Sequence, residues 1–339
     1  MIYSLHLWGI SVIQNLQIWF KGYDGMMLLL SNLGDPRFAF TLYFPVAYFL
    51  HSTVGKRVLW VAAVSEWLNA IAKWLFHGER PYWWIHESGA YSKEKMPYLR
   101  QYNITCETGP GSPSGHAMIT SAVWYILISD FLYYKQVQSI LAKSLFWIGY
   151  LLFMCSVCVS RLFVATHFPH QVLAGVFVGI LLGKILNSIS ISSLVWHHYV
   201  LASLVLSAVA AATYILVLAL GVDPMWSVQV ALKWCAFREW VHQDTTLFYS
   251  IIRDVSSLIG LGIAVTLLGP KQEKSESIFR VVAQIIISLL LVLVTDRLKP
   301  SQDNMLLFYV LAFFKHSFTI VLLTVGVPTI FGLCSKKKD

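Results

Sequence analysis

Apolar runs dominate this chain, and many are long enough to cross about 30 Å of hydrocarbon, which takes roughly 20 residues in a helix. Nine qualify: 25–52, 57–76, 115–134, 143–163, 169–191, 199–220, 250–269, 278–296 and 305–333. The first is interrupted near Asp35-Pro36. An odd number of crossings would put the two termini on opposite sides. With no internal repeat or low-complexity tract, the pattern predicts one all-α, polytopic membrane domain over residues 1–339, with about nine transmembrane helices.

Composition agrees. Of 339 residues, 57% are hydrophobic and 12% charged, with a mean hydropathy of +0.64; a soluble domain carries about a quarter charged residues. Residues 1–20 lack the basic n-region and compact apolar h-region of a cleaved signal. The net charge of +8 does not call for nucleic acid, because in a membrane protein the placement of Lys and Arg matters first. Lys56-Arg57, Lys135 with Lys143, Lys271 with Lys274, and Lys336-Lys337-Lys338 fall on one side in this count. The positive-inside rule makes that side cytoplasmic. The N-terminus and the loops 77–114, 221–249 and 297–304 then lie opposite, in a lumen. Lys73, Arg80, Lys93, Lys95 and Arg100 lie there too, and cations kept on the wrong side point to something they bind.

Two local signals fit that orientation. Asn103-Ile-Thr105 is a glycosylation sequon in a lumenal loop. Lys336-Lys337-Lys338-Asp339 fits the dilysine signal for retrieval to the endoplasmic reticulum, with a plain basic anchor as the alternative. The five cysteines have no metal spacing. Cys155 and Cys158 read as packing, and Cys106 and Cys235 both fall in lumenal loops, which leaves a disulfide between them open.

Candidate chemistry gathers at the lumenal ends of three spans. Cys106-Glu-Thr-Gly-Pro-Gly-Ser-Pro-Ser-Gly-His116 is polar, rich in Gly and Pro, and ends where a long apolar run begins. Amides at a helix start near Ser114 to Ala117 suit an anion, and His116 is a group that can hold a proton near neutral pH. Lys73 and Arg80-Pro81 lie seven apart, on one face if the helix continues. Ser160-Arg161 is followed by His167 and, a helical turn later, Gln171. Charges at membrane depth are costly and therefore functional candidates, and three cations at a glycine-rich helix start suit a dianion. No carboxylate cluster is suited to a divalent ion. His51, His197, His198 and His316 read as interfacial, His170 as shaping a helix entry, and Trp83 and Trp84 as an interfacial aromatic belt.

Lys-x6-Arg-Pro, Pro-Ser-Gly-His and Ser-Arg-x5-His, in that order, resemble the type-2 phosphatidic acid phosphatase superfamily. Arg80-Pro-Tyr-Trp-Trp84, Cys106 to Met118, Ala165 to Val172, Lys233-Trp-Cys235 and Glu239-Trp-Val-His242 look more narrowly like the glucose-6-phosphatase catalytic subunits. His86-Glu-Ser-Gly89 and Gly115 to Thr120 look most like the ubiquitous third isoform. The resemblance runs from Gly34 to the C-terminal tail. It implies the helical core of that superfamily and metal-free phosphoryl transfer in two steps. His167 would be the nucleophile and form a phosphohistidine. His116 would be the general acid and then base. Lys73, Arg80 and Arg161, with the backbone at Ser114 and Gly115, would hold the phosphate. Gln171 stands where many superfamily members have Asp, and would support the nucleophile with a hydrogen bond but no charge. Asp35 and Arg37 either close the site or form an ion pair at the interrupted helix.

The implied function is hydrolysis of glucose 6-phosphate, or a close sugar phosphate such as 1,5-anhydroglucitol 6-phosphate, at the lumenal face of the endoplasmic reticulum. A glucose-6-phosphate transporter would be the functional partner, with membrane lipid around the protein and no nucleic acid. The alternatives are a lipid phosphate phosphatase, and a transporter or scaffold with a dead site.

Overall fold

A computed structural model describes residues 2–242, 245–268, 277–298 and 304–336, and every regular element among them is helical. The chain begins with α1 (Ile2–Trp19), where the apolar-run count places nothing. Its His6, Gly9, Ile10, Ile13 and Leu16 recur every three to four residues, the spacing of one helix face. That face is buried beside Trp83, Trp84 and Phe168.

The first expected span is broken. It consists of α2 (Asp24–Leu33), the single turn α3 (Pro36–Phe38), a π-helical turn at Ala39–Tyr43, and α4 (Phe44–Leu50). Pro36 has no N–H to continue a helix. Asp35 instead caps the next turn by accepting the Arg37 N–H at 2.8 Å.

α5 (Ser52–Phe76) is continuous and carries Glu66, Asn69 and Lys73 on its buried side. It stops at His77, which takes a left-handed φ of 47°. The helix therefore does not run on to Arg80, contrary to the shared-face expectation. Arg80 is the cap residue of a separate short helix, α6 (Pro81–Glu87), with Pro81 at the first position where proline is tolerated.

α7 (Gly115–Tyr134), α8 (Ile140–Phe163) and α9 (Pro169–Asn187) form the middle of the molecule with α5. α7 and α9 pack backbone to backbone. A Cβ at Gly179 would overlap Ser121 Oγ and Met118 O, so only glycine allows this approach. The contact matters because it joins the helix that begins with His116 to the one that follows His167. Beyond them come α10 (Trp196–Ala219), α11 (Trp226–Trp234), α12 (Leu247–Leu268), α13 (Ile278–Arg297), α14 (Met305–Val321) and, after a second π-helical turn, α15 (Val327–Lys336). Buried ion pairs tie α5 to its neighbours: Glu66 to Arg253 of α12, and Arg57 to Asp130 of α7.

Against nine apolar runs in the sequence, seven described stretches are long and apolar enough to cross a membrane: α7, α8, α9, α10, α12, α13 and Met305–Gly332. α5 is long, but Lys56, Arg57, Glu66 and Lys73 make it polar. On α9, Leu173, Phe177, Leu181 and Ile185 point outward and stay exposed, as lipid-facing positions do. The protein is thus an all-helical, multi-pass membrane protein. Lys271, Lys274, Lys337 and Lys338 lie outside the described residues.

The loops 77–114 and 221–242 clasp each other over one end of this bundle. Cys106 and Cys235 form a disulfide, with Cα atoms 5.7 Å apart. Ser227 Oγ donates to Thr108 O at 2.8 Å, and the Trp234 ring stacks on His86 at 4.0 Å. Lys233 Nζ pairs with Glu87 Oε1 at 2.7 Å. Trp83 and Trp84 are buried beneath the clasp, against Trp226 and Phe168. They are core residues, not an interfacial belt, because α6 folds back under α11.

Candidate active site

Under the clasp lies a cavity of about 290 Å³, lined by Lys73, Arg80, Glu107, Gly115 and His116 on one side. Glu66, Asn69, Ser250 and Arg253 form another part of its wall, and Asp35 and Arg37 also line it. Asp35 and Arg37 form the expected ion pair as well, with Arg37 NH2 at 2.6 Å from Asp35 Oδ2.

His167 is placed by a tight turn between α8 and α9. Ala165 adopts φ 55°, and Thr105 Oγ1 donates to Val164 O at 2.6 Å. The imidazole is fully buried. Its Nδ1 lies 2.8 Å from Gly111 O, a contact only an Nδ1–H can make. Nε2 then keeps its lone pair, and it is buried with no hydrogen-bond partner. Gly111 must be glycine for this, because a Cβ there would overlap Glu79 O and crowd the Gln171 amide. Gln171 Oε1 is farther from His167 Nδ1, at 3.4 Å, and accepts the Phe168 N–H at 3.0 Å, while its Nε2 donates to Glu79 O at 2.7 Å. The main support for the imidazole is thus the Gly111 carbonyl. Gln171 chiefly fixes the turn and the entry to α9.

Arg80 lines the cavity, Arg161 meets the same Glu107 carboxylate from behind it, and both arginines are fully buried. Arg80 donates to three carbonyls: Gly109 O at 2.6 Å, Pro110 O at 3.3 Å and Thr166 O at 3.3 Å. It therefore shapes the glycine-rich loop and the turn at His167 as well as offering charge. Arg161, at the end of α8, donates to Ser31 Oγ at 2.6 Å. Ser114 caps α7 through its hydroxyl, and its N–H donates to Gln171 O at 3.1 Å. That amide is already used, which leaves the first turn at Gly115 and His116 to face the cavity. Lys73 is almost wholly buried on α5 and lines the same space. Among the described residues, no three His, Cys, Asp or Glu side chains group as metal ligands.

One site residue was not anticipated. The Glu107 carboxylate lies between the cations, with Oε2 at 2.9 Å from Arg80 NH2 and Oε1 bonded to Arg161 NH2. His116 Nδ1 is 3.5 Å from Oε1, and His167 Nε2 is 3.9 Å from Oε2. This one acid brings into a single cluster the residues that the sequence scatters over ninety positions. His170 stacks on His6 and Phe168 instead. His316 is not merely interfacial, since its Nε2 is 3.2 Å from Tyr249 OH beside a second cavity.

The charges set the protonation of this cluster. Burial disfavours the His167 imidazolium, Arg80 and Arg161 add to that, and Glu107 only partly opposes them, so its pKa lies well below the ordinary value. Burial disfavours the ionised form of Glu107, but Arg161 and Arg80 outweigh it and hold the carboxyl well below its usual range. Linkage gives the sign. Folded His167 refuses a proton that the unfolded chain takes near pH 6.5, so stability falls as pH drops through about 6.5. Glu107 contributes fully above about pH 4.3, and that contribution is lost as pH falls further. Thermal unfolding in detergent should accordingly show a midpoint that drops between pH 7 and 5.5, with a shallower drop in His167→Ala. Equal slopes in the two proteins would remove His167 as the cause.

Comparisons with known proteins show the family. Residues 54–194 match the PAP2 superfamily, a segment that holds Lys73, Arg80, Glu107, His116, Arg161 and His167. Human glucose-6-phosphatase 2 is 41% identical over 270 residues, covering 77% of this chain and 76% of the relative. Glucose-6-phosphatase catalytic subunit 1 of Haplochromis nubilus is 38% identical over 333 residues, covering 96% and 95%. The mouse catalytic subunit 1 is 38% identical over 324 residues, covering 92% and 91%. No solved structure matches the chain. With that identity along almost its whole length, the chain belongs to the glucose-6-phosphatase family of the PAP2 superfamily and is a phosphohydrolase.

Proposed function

We propose that the protein hydrolyses glucose 6-phosphate, or a close sugar phosphate such as 1,5-anhydroglucitol 6-phosphate, through a phosphohistidine on His167. The observation that carries this reading is the unpartnered Nε2 of His167, aimed at the place where Arg80, Arg161 and His116 converge. In the first step Nε2 gives its electron pair to phosphorus. The bond from phosphorus to the sugar oxygen breaks, and His116 supplies the proton to that oxygen. In the second step His116 takes a proton from water, the hydroxide attacks phosphorus, and the phosphorus–nitrogen bond breaks to restore His167. Lys73, Arg80 and Arg161 hold the phosphoryl oxygens, on which charge is concentrated throughout.

Glu66 Oε2 and Arg253 Nε in the cavity wall have no hydrogen-bond partner among the described residues, which favours a hydroxylated leaving group that can pair with them over an acyl chain that cannot. The reading includes an active site on the lumenal side of the endoplasmic reticulum membrane. The Cys106–Cys235 disulfide supports an oxidising compartment. Asn103 is exposed at the cavity rim, where a glycan can be attached. The lumenal N-terminus, the cytoplasmic dilysine tail at Lys336 and Lys337, and a glucose-6-phosphate transporter delivering cytosolic substrate belong to the same reading, and place the protein in glucose metabolism.

The test is phosphate release in detergent-opened membranes from glucose 6-phosphate, 1,5-anhydroglucitol 6-phosphate and phosphatidic acid. Turnover of the sugar phosphates is expected. Turnover of the lipid alone would replace this reading with a lipid phosphate phosphatase, and turnover of none would leave the dead-site alternative.

A further inference from the structure

Glu107 sits where the phosphate of a substrate has to sit. Its two oxygens meet Arg80, Arg161 and His116 and approach His167, so a phosphoryl group held by the same nitrogens and the carboxylate exclude each other. The clash extends to the chemistry. Attack requires phosphorus within about 3–3.5 Å of the nucleophile, and Oε2 stands 3.9 Å from Nε2 on that approach. Meanwhile the backbone of Glu107 is anchored on both sides. Its N–H donates to Thr105 O at 2.9 Å, its carbonyl accepts from Tyr82 OH at 3.3 Å, and Cys106 beside it is disulfide-bonded. The side chain itself borders the open cavity and is 19% exposed. Clearing the phosphate place therefore takes a rotamer change of one side chain, not an opening of the loop.

We propose that Glu107 is an exchanging counter-ion: it fills the phosphate place while the site is empty, swings aside for the substrate, and returns to expel inorganic phosphate. The proposal rests on the reading of this site as one for phosphate monoesters, and adds a residue to that reaction. Without an anion, two buried guanidinium groups would face each other at close range, which is costly. A phosphate dianion replaces the single carboxylate charge because it brings more charge to the same nitrogens. Once the sugar has left, inorganic phosphate has only its own contacts to hold it. A tethered carboxylate beside those nitrogens then competes at high effective concentration. Glu107 thus trades affinity for phosphate against the speed of its release.

The experiment compares full-length wild type with Glu107→Gln, which keeps the shape and removes the charge. Inorganic phosphate and orthovanadate are the probes. Their binding is read from thermal stabilisation without any sugar phosphate present, and from inhibition of turnover. Glu107→Gln is expected to bind both about tenfold more tightly, the scale of losing one charge-assisted competitor. It is also expected to lower kcat and KM together, because product leaves slowly. Phosphate affinity that is unchanged or weaker in the folded variant would overturn the exchange and leave Glu107 a structural counter-ion. If Glu107→Gln does not fold, Glu107→Asp carries the test, since it keeps the balancing charge but is too short to reach both arginines. It should show a smaller tightening, and no tightening in it would also overturn the proposal. A wild type that binds phosphate but hydrolyses no sugar phosphate would count against the proposed substrate, not against the exchange.

Discussion

His167→Ala is expected to lower phosphate release by at least about 10⁴-fold, the scale set by removing the nucleophile of a covalent mechanism. The reason is geometric. Nδ1 is committed to Gly111 O, Nε2 is buried and unpartnered, and the neighbouring Gln171 amide is no nucleophile to replace it. Affinity for phosphate should change far less than turnover, because the arginines that hold the anion are untouched. The check is kcat for glucose 6-phosphate alongside vanadate binding in the same preparation. A residual rate within about tenfold of wild type would leave the bundle intact but remove His167 from its role.

Arg80→Lys should produce the second large effect, although it keeps the charge. A lysine cannot span Gly109 O, Pro110 O and Thr166 O while also facing the phosphate place. We expect kcat/KM to fall by about 10²–10³-fold, as when a preorganised charge stabiliser is lost. The unfolding temperature should fall too, because buried carbonyls left without a donor cost about 1–3 kcal/mol each. Among the described residues, the Arg161 side chain makes one hydrogen bond beyond the cluster, to Ser31 Oγ. Arg161→Lys should therefore lose activity with a smaller drop in unfolding temperature. Equal drops in the two variants would mean that Arg80 does not organise the loop.

The sequence revealed most of the cation set and left the arrangement hidden. Lys73, Arg80, Arg161, His116 and His167 stand out because polar and charged residues at span ends are conspicuous against apolar runs. What escaped were features with weak or ambiguous local signals. Glu107 lies inside the glycine-rich stretch, but an acid beside a phosphate site looks out of place until its distance to both arginines is known. The buried face of α1, from His6 to Leu16, was legible as a helical period. The stretch is nonetheless too mixed in polarity to read as a span. The break at His77 is half legible: Gly78 and Pro81 are helix-stop signals, but nothing marks His77 itself as the left-handed residue. Trp83 and Trp84 illustrate the opposite error. Tryptophans near a span end suggest an interface, and only the tertiary fold of α6 under α11 buries them.

The account turns on one covalent bond, between phosphorus and Nε2 of His167. Brief reaction of detergent-opened membranes with glucose 6-phosphate labelled at phosphorus, followed by denaturation in alkali, preserves a phosphohistidine for peptide mapping. The account predicts label on the peptide that contains His167, and none in His167→Ala. Label on another residue, or turnover that survives in His167→Ala without any labelled peptide, would contradict it.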